Sequence, residues 1–280
     1  MNNEKDILEG YLWILCNDFV VERRPKLVYI PSDRKVGIVG AYDAKTETII
    51  LFIYDYKALI HEFIHHLQYE ECGYDYKEYM KRMQTEKRKL YFEREYEIEA
   101  SYAEQALSHI YKETFERGIN AEPLGNEELA EHLGSYLITR FTVAESMLEQ
   151  ATDYTMAVIA LEDYTRLIDI ASLSALAYNE YRAVKYTLKY VARAFFLRWN
   201  IPELQDLYKE INEILDQLDI CKDIAYTYSK YPLNIKRAET NRLLELKDIL
   251  EDTLFKCDRL KMHYLDVFSS SVYERYRGSG

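Results

Sequence analysis

His61-Glu62-Phe63-Ile64-His65 sets two imidazoles four residues apart, with a carboxylate beside the first. On a helix that spacing is slightly more than one turn, so both rings leave the same side and can share one metal ion. Glu62 is turned about 100° from His61 around such a helix. A carboxylate in that position can reach water on the metal without being a ligand, which is where a general base is needed. Ala58, Leu59, Ile60, Phe63, Ile64 and Leu67 wrap most of the helix in apolar side chains, so it is expected to be buried. Burying two imidazoles and a carboxylate costs on the order of several kcal/mol unless they are paired or metal-bound. Coordination of Zn2+ by His61 and His65 supplies that compensation.

Zinc of this kind takes a third protein ligand and leaves the fourth position to water. A three-histidine site is excluded, because Gln68 and Glu71 stand where it needs Gly and His. The acidic run from Phe92 to Glu104 offers Glu93, Glu95, Glu97 and Glu99 instead. Within it Phe92, Tyr96, Ala103, Leu107 and Ile110 form an apolar stripe, along which Glu99 points while Glu97 points away. A stripe of this kind can face the metal helix or the later helices, so both glutamates remain candidates.

A strand, a His-Glu-x-x-His helix and then Glu97-Ile-Glu-Ala100 on the next long helix resemble the compact gluzincin metallopeptidases. The ImmA/IrrE-type proteases and the minigluzincins are nearest in size and layout, and the resemblance covers about residues 25–110. It implies a zinc-dependent peptidase acting on a protein or peptide, with Glu62 as general base. It also implies that Glu97 is the third ligand beside His61 and His65, with Ala100 allowing close helix packing; periodicity keeps Glu99 as the alternative. Ser101 stands where the family has Asp or Asn hydrogen-bonded to a zinc histidine. The segment Glu47–Ile53 is expected to be the upper edge of the substrate cleft, where an extended peptide can add as a strand. A reading of another class keeps the zinc but not the hydrolysis: a zinc-stabilised binding or regulatory protein whose helical half recognises a partner.

These residues need a scaffold. Asn3 to Phe19 has helical spacing of apolar residues. Lys26–Pro31, Lys35–Tyr42 and Glu47–Ile53 are short and rich in β-branched and aromatic residues, and Asp43-Ala-Lys-Thr46 reads as a hairpin turn between the last two. One helix is expected from Tyr56 to Glu71 and a further, broken helical stretch from Tyr76 to Arg117. Gly118, Pro123 and Gly125 mark a domain boundary, beyond which residues 127–265 read as helices punctuated near Pro202 and Pro232. The expected fold is α+β: a zincin-like unit, 1–122, with a small sheet and the active-site helices, then an all-helical domain, 123–280.

Composition narrows the function classes. Of 280 residues 48% are hydrophobic, and 36 Lys and Arg face 48 Asp and Glu for a net charge of −12. Such a chain lacks the phosphate-neutralising surface of nucleic-acid binders. No stretch approaches the roughly 18 uninterrupted apolar residues of a membrane span, and no signal peptide is visible. Cys16, Cys72, Cys221 and Cys257 are scattered, without a Cys-x-x-Cys pair, and read as reduced thiols of a cytoplasmic protein. His66 is rotated away from His65 and is expected to be a bystander; His109, His132 and His263 are isolated. Neither the oligomeric state nor the substrate is specified by these features.

Overall fold

The structure, a computed structural model, describes residues 4–31, 38–85, 89–90, 94–117, 126–199, 203–230 and 240–267. It is an α+β protein: helix α1 (Glu4–Asp18) precedes strands β1 (Lys26–Tyr29), β2 (Gly40–Asp43) and β3 (Thr48–Leu51), and helices follow. These are α2 (Tyr56–Glu71), α3 (Tyr76–Thr85), α4 (Glu95–Ile110), α5 (Lys112–Glu116), α6 (Asn126–Leu161), α7 (Leu167–Trp199), α8 (Glu203–Ser229) and α9 (Thr240–Val267). The chain divides into one unit of residues 1–133 with 190–198 and another of residues 134–189 with 199–280. The expected boundary at 122/123 lies outside the described residues.

In the first unit the strand order is β1-β3-β2, with β1 parallel and β2 antiparallel to β3. Ile49 and Leu51 of the central strand are fully buried, which is what their apolar, β-branched run requires. The hairpin turn between β2 and β3 is held by Asp43, whose carboxylate accepts from Lys45 N at 3.0 Å and Thr46 Oγ1 at 2.7 Å. The segment expected at the cleft edge, Glu47–Ile53, is instead the middle strand: β1 occupies one of its sides and β2 the other. Its neighbour β2 pairs with β3 alone among the described residues.

Asp55 caps α2, its side chain accepting from Lys57 N at 2.8 Å. Leu59, Ile60, Phe63, Ile64 and Leu67 of α2 have no exposure, so the apolar wrap read from the sequence is core. Phe63 meets Phe19, just beyond α1, edge to face at 5.6 Å between ring centroids. Tyr11 of α1 donates to the Phe115 carbonyl, and Tyr111 to Asp18 at 2.8 Å, tying α1 to the α4–α5 segment.

Every described element of the second unit is helical. Phe141, Tyr181 and Tyr264 pack together in its core, tilted and edge to face, with ring centroids 5.9 and 5.6 Å from Phe141. Gln217 of α8 donates to Asp252 of α9 at 2.7 Å. No described helix is long and apolar enough to cross a membrane. The four cysteines are unpaired thiols; burial pushes Cys16, Cys221 and Cys257 up to about 12, which keeps them protonated and unreactive.

Candidate metal centre

Helix α4 presents Ala100 and Ala103, both essentially without exposure, and their small side chains let it pack closely on α2. Glu97 sits in the first turn of α4, where the helix dipole favours a negative charge. Its Oε2 lies 3.3 Å from His61 Nε2 and 3.5 Å from His65 Nε2. The two imidazole rings are 5.0 Å apart and nearly perpendicular. Each of the three residues offers one ligand atom, all within 4.8 Å of one another, so His61, His65 and Glu97 form a group able to hold a metal ion.

The spacing of the donors is compatible with a tetrahedral ion such as zinc. Ligands about 2.0–2.1 Å from a tetrahedral zinc stand about 3.3 Å from each other, close to the two nitrogen–oxygen distances seen here. As direct hydrogen bonds the same distances are long. The other nitrogen of each ring is also engaged: His61 Nδ1 is 3.2 Å from Glu104 Oε2, and His65 Nδ1 is 2.8 Å from Gln68 Oε1. Acceptors at both Nδ1 atoms keep a ring proton there, so Nε2, which faces Glu97, is the nitrogen each ring can give to a metal.

Without a metal, burial by itself lowers the pKa of His61, but Glu104 and Glu97 outweigh it and hold the imidazole up to about 9. Burial raises the Glu62 carboxyl above its usual range, against the opposing pull of His65 and His61. Glu62 is 6% exposed and lines the same cleft as the two histidines and Glu97, a hollow of about 900 Å³. Gly40 of β2 closes over it: a Cβ there would stand 3.0 Å from Glu62 Cγ, Glu62 Oε1 and Leu51 Cδ2. Tyr42 of β2, with Tyr79, Met80 and Met83 of α3, forms an apolar side of the cleft.

The two candidates for third ligand are separated by this geometry. Glu97 joins the histidines, whereas Glu99, also buried, accepts from the Tyr190 hydroxyl at 2.5 Å. Glu99 is therefore engaged by Tyr190, a residue of α7 that belongs to the same unit. Glu93 lies outside the described residues, and Glu95 is exposed. His66 stands apart from the metal group: its Nε2 donates to the Arg23 carbonyl at 2.6 Å and its Nδ1 accepts from Tyr42 at 2.8 Å. His132 bonds the Ile110 carbonyl at 2.8 Å and His263 lies 3.3 Å from Glu210.

Glu104 and Gln68 are the residues sequence reading passed over. Glu104 follows Glu97 by seven residues, two helical turns, and this spacing was the available signal that both share a face. Ser101, the position at which a partner for one of the histidines was expected, does not face either Nδ1: Glu104 faces that of His61 and Gln68 that of His65. Gln68, three residues after His65, carried no signal beyond its position on the same helix face. No known protein family, curated protein or solved structure matches the chain.

Proposed function

We propose that this chain is a zinc-dependent metallopeptidase of the compact gluzincin type, hydrolysing peptide bonds in a protein or peptide substrate. The observation that carries the reading is the convergence of His61 Nε2 and His65 Nε2 on Glu97 Oε2, with the Glu62 carboxyl in the same cleft. Zinc held by these three residues would polarise the scissile carbonyl and acidify water. Glu62 takes the proton of the attacking water and hands it to the leaving amine. Its raised pKa suits both halves of that task, since a base that must return its proton works best with a pKa near the working pH.

Substrate is oriented by β2. Phe52 N donates to the Val39 carbonyl at 3.0 Å, so ladder bonds fall on alternate residues and the backbone groups of Gly40 and Tyr42 turn away from β3. An extended peptide pairing with that edge would run past Glu62. The cleft edge expected at Glu47–Ile53 thus moves to the adjacent strand.

The test is zinc quantification and hydrolysis of unfolded polypeptides by the purified chain and its Glu62→Gln variant. The expected result is one zinc in both proteins and cleavage by the wild type alone. Cleavage at the wild-type rate by the variant removes Glu62 from the mechanism. Zinc without cleavage in either protein leaves a zinc-stabilised scaffold, and absence of zinc from both ends the reading.

A further inference from the structure

Helix α3 carries an apolar face of which only one residue is fully covered. Tyr79, Met80 and Met83 fall on one side of it, since residues three and four apart are neighbours on a helix, while Glu78, Lys81 and Arg82 are exposed on the other. Tyr79 is buried; its ring meets Tyr42 at 6.5 Å and Tyr69 at 5.3 Å, edge to face in both pairs. Met80 and Met83 pack against the same cluster but stay partly exposed. Tyr42, Tyr79, Met80 and Met83 all line the cleft that holds the metal group, so this small aromatic core turns its open side to the cleft.

The cleft also has a direction. Gly40 of β2 lies against Glu62, whereas Tyr42, two residues on, donates to His66 Nδ1 at 2.8 Å and meets the Tyr69 ring at 6.3 Å. Strand β2 thus advances along α2 in the same sense as the helix, and the apolar wall stands toward the last turns of α2. The other end has a mixed lining: Asp55 and Lys57 from the start of α2, Ile38 ahead of β2, and Glu104 beside His61. The metal group lies between the two ends. Arg94, which also lines the cleft, donates to the Tyr96 hydroxyl at 3.2 Å and to the Lys89 carbonyl at 3.4 Å, so its guanidinium is engaged within the protein.

We propose that the wall of Tyr42, Tyr79, Met80 and Met83 is the specificity site of the cleft, taking one bulky apolar side chain of the substrate (Leu, Met, Phe or Tyr) close to the scissile bond. The proposal rests on the peptidase reading above and names its substrate class. A peptide paired with the free edge of β2 advances about 3.3 Å per residue, so the residue passing Tyr42 is roughly two positions from the one passing Gly40 and Glu62. Its side chain is removed from water against two aromatic rings and two thioethers. Unbranched methionines adjust to side chains of different shape, so the selection is for apolar bulk and not for one residue type. Because the wall occupies one end of the cleft, selection falls on one side of the scissile bond.

The experiment digests a mixture of unfolded polypeptides with the zinc-loaded full chain and reads the cleavage sites by mass spectrometry. Large apolar residues are expected to dominate one position, within two residues of the scissile bond and on one side of it. In a synthetic peptide cleaved at such a site, replacing that residue by Ser should lower kcat/KM about 10–100-fold. Met83→Glu should lower kcat/KM for the apolar peptide about 10-fold and raise it for the same peptide with Lys at that position, while zinc content stays at the wild-type level. A gain on the Lys peptide is an outcome that damage to the fold does not produce. Met80→Glu is the second variant, and the wild-type profile decides the matter if neither folds. Cleavage by the wild type without side-chain preference near the scissile bond, or an unchanged preference in folded Met80→Glu and Met83→Glu, overturns the proposal and leaves the peptidase reading standing. Failure of the zinc-loaded wild type to cleave any polypeptide overturns both.

Discussion

His61 is held at both ring nitrogens by carboxylates of one helix: Glu97 Oε2 lies 3.3 Å from Nε2 and Glu104 Oε2 3.2 Å from Nδ1. The two glutamates have different tasks because the ring has different edges, one facing His65 and the other facing away. Glu104→Ala removes the acceptor that keeps the proton on Nδ1. Zinc affinity should fall roughly 10–100-fold, with kcat/KM at limiting zinc falling in parallel. Glu104→Gln can still turn an oxygen toward Nδ1 and should lose less. Titration of zinc into the metal-stripped variants distinguishes them; equal affinity in Glu104→Ala and wild type would mean that the contact orients nothing.

Glu97 and Glu99 are both buried acids two residues apart, and their exchange separates ligand from support. Glu97→Ala deletes an oxygen from a three-donor group and should abolish stoichiometric zinc binding at micromolar protein. Glu99→Gln should keep one zinc per chain. Metal analysis after gel filtration reads the difference directly, and the reverse pattern would transfer the ligand role to Glu99.

The metal helix was legible because its signal is local. Four-residue spacing fixes which side of a helix two histidines share, and the apolar residues around His61 and His65 required burial, so the expected span Tyr56–Glu71 is the observed one. The first and third strands were legible as short β-rich segments; of the expected Lys35–Tyr42, residues 35–37 lie outside the described residues, and β2 begins at Gly40 and takes in Asp43 of the expected turn. Their order was not, since adjacency in sequence put Glu47–Ile53 beside the cleft while pairing across β1 put it in the centre. Choosing between Glu97 and Glu99 required knowing what each side of α4 packs against. Periodicity finds an apolar stripe, but the Tyr190 hydroxyl that faces Glu99 comes from far along the chain. Gln68 was hidden for the same reason: an amide has meaning only through the partners that orient it.

Gly40 permits the close approach of β2 to the Glu62 side chain. A methyl group there meets Glu62 Cγ, Glu62 Oε1 and Leu51 Cδ2, each at 3.0 Å, and Leu51 is fully buried. The carboxylate must therefore give way by a few tenths of an ångström. Gly40→Ala should lower kcat about 10-fold, since displacements approaching 1 Å at a reacting group cost up to about 100-fold. Zinc content should not change, because no ligand atom is touched. Gly40→Val should be worse on both activity and thermal stability. Steady-state kinetics beside metal analysis checks this, and an unchanged kcat in Gly40→Ala would mean that Glu62 has space the packing does not suggest.

Proton and metal compete for His61, and this gives the protein stripped of metal by a chelator a pH dependence opposite to that of its zinc affinity. Glu104 and Glu97 raise His61 from its ordinary 6.5 to about 9 in the folded chain, against the opposing effect of burial. A group whose pKa rises on folding contributes stability that is fully present below the unfolded value and is lost as pH climbs through the folded one. The window is therefore pH 6.5 to about 9. Glu62 acts in the same sense from lower pH, because burial raises its carboxyl and ionising it in the fold is costly. The melting temperature of the stripped protein should thus decline across this window. Zinc displaces the His61 proton, so its affinity should climb over the same interval and level off near pH 9, with proton release on binding diminishing to nothing there. Scanning calorimetry with and without zinc, and titration calorimetry in buffers of different ionisation enthalpy, test the two slopes. A stripped protein equally stable at both ends of the window would remove the two carboxylates as partners of a charged His61.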